Sequence, residues 1–255
     1  MLLIRSLIFD FFLYGLMLVM GILCAPLALW SVGGAYWSIH AYCRTVLWLL
    51  RVICGLKTEI RGEVPTEEVI VCSKHQSFLD IIMLAHALPR VRFVMKKELR
   101  WAPILGLYAL RIGSTPVHRG QKSKAMNDMV NHVSQKSSAP GQLVIYPQGT
   151  RVAPDARVPY KVGAGVLYGR MHKPCVPVAT NVGVFWGRHS IYRRPGTAVV
   201  EFLKPMPPGM KIGEFMVEME NTVEENSDRL MREAGFDPGP RVPAVLRQRQ
   251  AGSDV

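Results

Sequence analysis

Between Asp10 and Arg44 the chain carries no Asp, Glu, Lys or Arg. A run that long without a charge must either be buried as a helical hairpin or seated against a bilayer. Phe11 to Trp30 has about the length that one bilayer-crossing helix needs. The sequence Ser31-Val32-Gly33-Gly34 interrupts the run, and a second apolar stretch follows from Ala35 to Leu50, which predicts two helices joined by a tight turn. His40, Arg44 and Arg51 recur at spacings of four and seven and share one face of the second helix. That pattern suits a helix lying in the interface or docked on protein as well as one that spans. With Arg5 ahead of the pair and Arg44, Arg51 and Lys57 at its end, both termini fall on the cytoplasmic side by the positive-inside tendency. The run exceeds the apolar segment of a cleavable signal peptide. Residues 1–54 are therefore expected to form a two-helix membrane anchor.

The remainder is large enough for one catalytic-sized domain, because 255 residues at 49% hydrophobic can bury a sizeable core and still leave apolar surface for lipid. Lys and Arg outnumber Asp and Glu by 31 to 19, a net charge of +12, which points to an anionic partner: a phospholipid surface, a nucleic acid or an acidic carrier protein. No nucleic-acid recognition motif accompanies the charge, so nucleic acid is not expected as a partner. Cys24, Cys43, Cys54, Cys72 and Cys175 are odd in number and contain no Cys-x-x-Cys pair, which argues against a disulfide framework or a zinc site and for a reducing, cytoplasm-facing body. The histidines have no ligand-like spacing with carboxylates or cysteines, and no metal is expected.

Beyond Gly55, short β-branched runs alternate with helical stretches, the pattern of an α/β domain with a mostly parallel or mixed sheet flanked by helices. Strands are predicted at Val69–Ser73, Val91–Met95, Leu143–Tyr146, Cys175–Ala179 and Thr197–Phe202. Helices are predicted near 77–88, 103–111, 121–138, 161–171 and 213–234. The last places Phe215, Met219, Val223 and Leu230 on one face, with Glu218, Glu224, Glu225 and Asp228 mostly elsewhere, as in an amphipathic cover helix. The catalytic domain is expected over residues 55–236, and the Pro-, Gly- and Arg-rich residues 237–255 read as a flexible basic tail.

Two polar turns follow predicted strands directly. In the first, Ser73-Lys74-His75-Gln76-Ser77-Phe78-Leu79-Asp80, the His and the Asp stand five apart. On an ideal helix such residues diverge by about 140°, so they meet only if His75 lies in the turn and Asp80 in the first helical turn. The carboxylate then fixes the imidazole tautomer and leaves the other ring nitrogen free to take a proton from a hydroxyl. The second turn is Tyr146-Pro147-Gln148-Gly149-Thr150-Arg151. Here Gly149 permits close backbone approach, Thr150 offers a hydroxyl, and Arg151 offers a fork matched to a phosphate. Between them Gly113-Ser114-Thr115-Pro116-Val117-His118-Arg119 ends in another arginine. Both turns belong at the carboxyl edge of the sheet, where α/β folds bind ligands. Cys72 beside His75 is a weaker nucleophile candidate, since its apolar strand favours a buried, inert thiol.

These residues resemble the glycerolipid acyltransferase family, typified by the bacterial 1-acylglycerol-3-phosphate acyltransferases. The family's first motif is a His and an Asp separated by four residues, matched by His75 and Asp80. Its second ends in Arg, matched by Arg119. Its third usually reads Phe-Pro-Glu-Gly-Thr-Arg and is approximated by Tyr146 to Arg151. Its fourth is a Val-Pro-Val strand, matched by Val176-Pro177-Val178. Order and spacing agree over roughly residues 70–180, and the apolar N-terminal pair is similar to the two-helix membrane motif of such enzymes. The resemblance implies His75 as general base with Asp80 as its partner. It also implies that Arg119, Gln148, Gly149, Thr150, Arg151 and Lys96 bind substrate. The reaction would move a fatty acyl group from an acyl carrier protein or coenzyme A thioester, with no further cofactor, to the 2-hydroxyl of lysophosphatidic acid, on the cytoplasmic face of a bacterial inner membrane. Lys74, Lys96 and Lys97 are candidates to steady the oxyanion, and the apolar run Trp101 to Leu110 is a candidate wall for the acyl chain.

The chain departs from the family pattern at Gln148, which stands where a Glu is usual. It departs again at Thr115-Pro116-Val117-His118, where a Phe-Ile-Asp type run is common. Gln keeps the reach and hydrogen bonding of Glu but not its charge, so acceptor identity stays open between lysophosphatidic acid and another lysolipid such as a lyso-ornithine lipid. A non-enzymatic basic membrane-binding protein would explain the charge and leave the paired polar turns without a purpose.

Overall fold

A computed structural model of the chain describes residues 1–117 and 141–240. Arg119, His118, the helix expected near 121–138 and residues 241–255 of the expected tail lie outside them.

Seven strands form one mixed sheet: β1 (Leu56–Arg61), β2 (Ile70–Ser73), β3 (Val91–Lys96), β4 (Thr115–Val117), β5 (Gln142–Ile145), β6 (Cys175–Thr180) and β7 (Gly196–Phe202), in the order β1-β7-β6-β2-β5-β3-β4. All neighbouring pairs are parallel except β6 with β7. Strands β2, β5 and β6 are buried along their whole length, as inner strands covered on both faces must be, which is why they read as continuous apolar runs. All five expected strands are present. The two unforeseen ones are the sheet's edges: β1, Leu-Lys-Thr-Glu-Ile-Arg, is mostly polar and only partly buried, and β4 holds only three residues around Pro116, which an edge strand tolerates.

Helices α4 (Leu79–Ala87) and α5 (Pro103–Arg111) lie near their expected positions, as do α6 (Gly163–Met171) and α8 (Ile212–Glu233), with the one-turn α7 (Val182–Phe185) between these last two. The apolar face of α8 packs as expected, with Phe215, Met219, Val223 and Leu230 all buried. Glu224 and Asp228, expected mostly off that face, are buried too. They can be there because Lys74 and Arg157 neutralise them, at 2.7 Å for Lys74 to Glu224 and 2.8 Å for Arg157 to Asp228.

At the N-terminus α1 (Leu2–Leu23) already begins at Leu2, a short α2 (Ala25–Trp30) follows a break at Cys24, and α3 (Val32–Cys54) starts directly after Ser31. The break expected over Ser31–Gly34 is confined to Ser31, whose side chain accepts the Gly34 N–H. Gly34 lies within the helix, at a position only glycine fits, because a Cβ there would stand 2.3 Å from the Leu27 carbonyl oxygen. Among the described residues α1 alone is long and apolar enough to cross a membrane. It buries only Ser6, Phe9 and Leu13 and leaves Phe11, Tyr14, Leu18, Ile22 and Leu23 exposed.

The α1 helix is nevertheless fastened to the body. Asp10, the lone acid of the segment, pairs with Arg193 at 2.6 Å, and Ser6 accepts the Arg193 backbone N–H. Phe9 meets Trp186 edge-on, and Trp186 in turn meets Phe78. One apolar cluster runs continuously from Phe9 and Leu13 through Val46 and Leu50 to Leu79, Val144 and Val178. Packing therefore links the N-terminal helices to the turn that precedes α4.

Candidate active site

At the carboxyl end of β2 the chain turns through Lys74–Phe78 before α4 begins, which meets the geometric requirement placed on His75 and Asp80. His75 Nδ1 lies 3.0 Å and 3.2 Å from the two carboxylate oxygens of Asp80. Asp80 Oδ2 also accepts the backbone N–H groups of Gln76 and Ser77, each at 2.8 Å. The carboxylate is fully buried at the start of a helix, where two amides and the positive end of the helix hold its charge. Since the carboxylate accepts, Nδ1 carries the proton and Nε2 presents a lone pair.

Tyr146, at the end of β5, stacks on the imidazole with ring centroids 3.9 Å apart and planes 18° from parallel, which sets the plane of the ring. Burial, reinforced by the negative charge of Asp80, pushes the Tyr146 phenol well above its ordinary range.

The second turn grips the first. Gln148, only 1% exposed, accepts the His75 backbone N–H on Oε1 at 2.9 Å, and Val152 N–H donates to the His75 carbonyl at 2.8 Å. Gln148 thus holds the His75 backbone in place through its amide oxygen. Gly149 takes φ of 69°, the left-handed region that glycine enters without penalty, and Thr150 and Arg151 follow, partly exposed. Because β2, β5 and β3 run parallel, their carboxyl ends bring His75, the 148–151 turn and Lys96 to one edge of the sheet. Strand β4, which leads towards Arg119, ends at the same edge.

Not every candidate faces the site. Lys74 is fully buried, its ammonium 2.7 Å from Glu224 of α8, so it serves the core on the opposite side of the chain from His75 and is not available to an oxyanion. The same Glu224 accepts from Tyr160 at 2.9 Å and from Arg157 at 3.2 Å. Lys96 is half-exposed, 3.6 Å from Glu98. Cys72 is buried on β2 among Ile70, Tyr160 and Leu167. Among the described residues no group of three or more His, Cys, Asp or Glu could hold a metal ion.

An apolar cavity of about 140 Å³ opens between α1, α3, α4 and α5, bounded by Met20, Tyr42, Phe78, Ile82, Ile104 and Tyr108. Phe78 follows Ser77, so the cavity adjoins the His75 turn. Of the expected acyl-groove run, Ile104, Leu105, Tyr108 and Ala109 line this space, while Trp101 is 74% exposed.

The stacking of Tyr146, the Gln148 bond to His75 and the Glu224 network were not evident in the sequence. Each joins residues more than 60 positions apart, and only the β2–β5 pairing and the docking of α8 reveal them.

Residues 56–181 match the family model described as Acyltransferase. The chain is 26% identical over 164 residues to the 1-acyl-sn-glycerol-3-phosphate acyltransferase of Pseudomonas aeruginosa, covering 64% of each protein, so it matches less than two thirds of that relative's length. It is 30% identical over 158 residues to the human 1-acyl-sn-glycerol-3-phosphate acyltransferase beta, covering 60% of this chain and 57% of the relative. The fold is that of the 1-acyl-sn-glycerophosphate (LPA) acyltransferase PlsC from Thermotoga maritima. That crystal structure superposes with a TM-score of 0.75 at 17% identity, over 90% of this chain and 95% of the other.

Proposed function

We propose that the protein is a 1-acyl-sn-glycerol-3-phosphate acyltransferase, a reading supported by the match of residues 56–181 to the Acyltransferase family model. It transfers a fatty acyl group from a thioester of acyl carrier protein or coenzyme A to the 2-hydroxyl of lysophosphatidic acid, making phosphatidic acid. The observation that carries this reading is the His75–Asp80 pair, with its tautomer fixed and its free nitrogen at the sheet edge shared with the Gly149–Arg151 turn. The names of the relatives support the choice of acceptor.

In the reaction His75 Nε2 takes the proton of the 2-hydroxyl as its oxygen attacks the thioester carbonyl. The tetrahedral intermediate collapses with loss of the thiolate, which takes the proton back from the imidazolium. A thioester is already activated, so no acyl-enzyme is required. Arg151, with Arg119, Thr150 and the Gly149 backbone, binds the acceptor phosphate, and Lys96 extends the same cationic edge. The apolar cavity beside Phe78 receives acyl chain.

Residues 1–54 attach the enzyme to the cytoplasmic face of an inner membrane. The exposed apolar surface of α1 supports this, and the +12 charge draws the protein to anionic lipid and to an acidic carrier. Residues 55–236 carry the chemistry.

The test is product formation: purified protein, an acyl-coenzyme A or acyl carrier protein donor and a panel of lysolipids, with products separated by mass. Phosphatidic acid formed from lysophosphatidic acid in preference to the other lysolipids is the expected result. A clear preference for another lysolipid, or no acyl transfer to any, would refute the proposal.

A further inference from the structure

Several cations near the His75 turn are already engaged. Lys74 and Arg157 are held by Glu224 and Asp228, and Lys96 lies 3.6 Å from Glu98. Lys161 is different: it is exposed and makes no ion pair among the described residues.

Its position is nonetheless fixed. The Lys161 backbone N–H donates to the Pro147 carbonyl at 2.9 Å, and the preceding Tyr160 is anchored on Glu224. The side chain then crosses the 148–151 turn. A Cβ added to Gly149 would stand 2.7 Å from Lys161 Nζ and 3.0 Å from Cε. No carboxylate competes for this ammonium within the turn, because residue 148 is a neutral Gln whose amide oxygen is occupied by His75. Gly149 therefore does more than adopt a left-handed conformation; its missing side chain leaves room for the Lys161 ammonium over the turn that carries Arg151.

A phosphate monoester carries close to two negative charges at neutral pH, and within the 148–151 turn Arg151 balances only one of them. Building on the function argued above, we propose that Lys161 and Arg151 together form the phosphate subsite of the acceptor. Lys161 is then a residue that selects a dianionic monoester.

Steady-state kinetics of Lys161→Met and Lys161→Arg, with lysophosphatidic acid and acyl thioester varied in turn, tests this. The Met variant is expected to raise KM for lysophosphatidic acid by about tenfold or more, the effect of losing one charge-assisted contact, while KM for the thioester stays within twofold. The Arg variant should recover most of the loss. An acceptor KM within twofold of wild type for the Met variant, or a parallel rise in both KM values, would overturn the assignment. Wild-type protein that fails to use lysophosphatidic acid would instead refute the function on which it rests.

Discussion

Asp80→Asn is the sharpest probe of the proposed base. The native carboxylate accepts three donors, His75 Nδ1–H at 3.0 Å and the Gln76 and Ser77 amides at 2.8 Å each. Asn has one acceptor oxygen and one donor nitrogen. Two backbone amides fix the oxygen on their side, which turns the Asn Nδ2 hydrogens towards His75 Nδ1. Two donors cannot pair, so the imidazole moves its proton to Nε2, the nitrogen that must accept from the substrate hydroxyl. The equivalent Asp-to-Asn change in a Ser-His-Asp triad lowers turnover by about 10⁴-fold through the wrong tautomer, which is about 5.4 kcal/mol at 1.36 kcal/mol per decade. Here the expected loss in kcat/KM is about 10³ to 10⁴. The cost in stability is smaller, about 1–2 kcal/mol for weakening charge-assisted bonds that are largely replaced, or a fall in Tm of a few degrees for a chain of this size. Thiol release in a continuous assay gives the first quantity and thermal unfolding the second. An Asn variant retaining more than a tenth of wild-type kcat/KM would refute the tautomer argument.

Two further outcomes follow from the buried charges and phenols. Glu224→Leu strands Lys74 without a counter-ion and should cost about 3–5 kcal/mol in denaturant unfolding. Adding Lys74→Met should recover more than half, and a double variant no more stable than the single one would contradict the pairing. Tyr146 and Tyr160 are both raised above the ordinary value of 10.0, mainly by burial, with Asp80 and Glu224 respectively adding to it. The folded state thus keeps protons that the unfolded chain releases near pH 10. Stability is fully present below that pH and is lost as pH rises past it. Tm should decline from about pH 10, less steeply in a Tyr146→Phe/Tyr160→Phe variant; identical pH profiles would sink the idea.

How much of this was readable beforehand depended on whether a feature is local. The His75 and Asp80 geometry follows from neighbours alone: β2 ends at Ser73, and the apolar run Leu79–Ala85 forces a helix whose first turn contains Asp80. The five inner strands announce themselves by β-branched runs because both of their faces are covered. Edge strand β1 carries no such signal, since it is mostly polar and only partly buried. The start of α1 at Leu2 was hidden by Arg5 and Asp10. Asp10 is tolerated because Arg193, 183 residues away in sequence, neutralises it. Gln148 and Lys161 were beyond sequence reasoning for the same cause. A Gln facing a backbone amide 73 positions away and a lysine lying over a glycine are consequences of sheet register and loop closure, which spacing does not encode. The family resemblance suggested a substrate contact for Gln148, and the structure gives that side chain a structural partner.

The central claim is that His75 acts as the base for a lysolipid hydroxyl attacking an acyl thioester. Thiol release measured with and without lysophosphatidic acid, on wild-type, His75→Ala and Cys72→Ser proteins, tests it most directly. Acceptor-dependent release by wild type and by Cys72→Ser, and its loss in a folded His75→Ala variant, is the expected result. Release that survives in His75→Ala, or that disappears in Cys72→Ser, would contradict it.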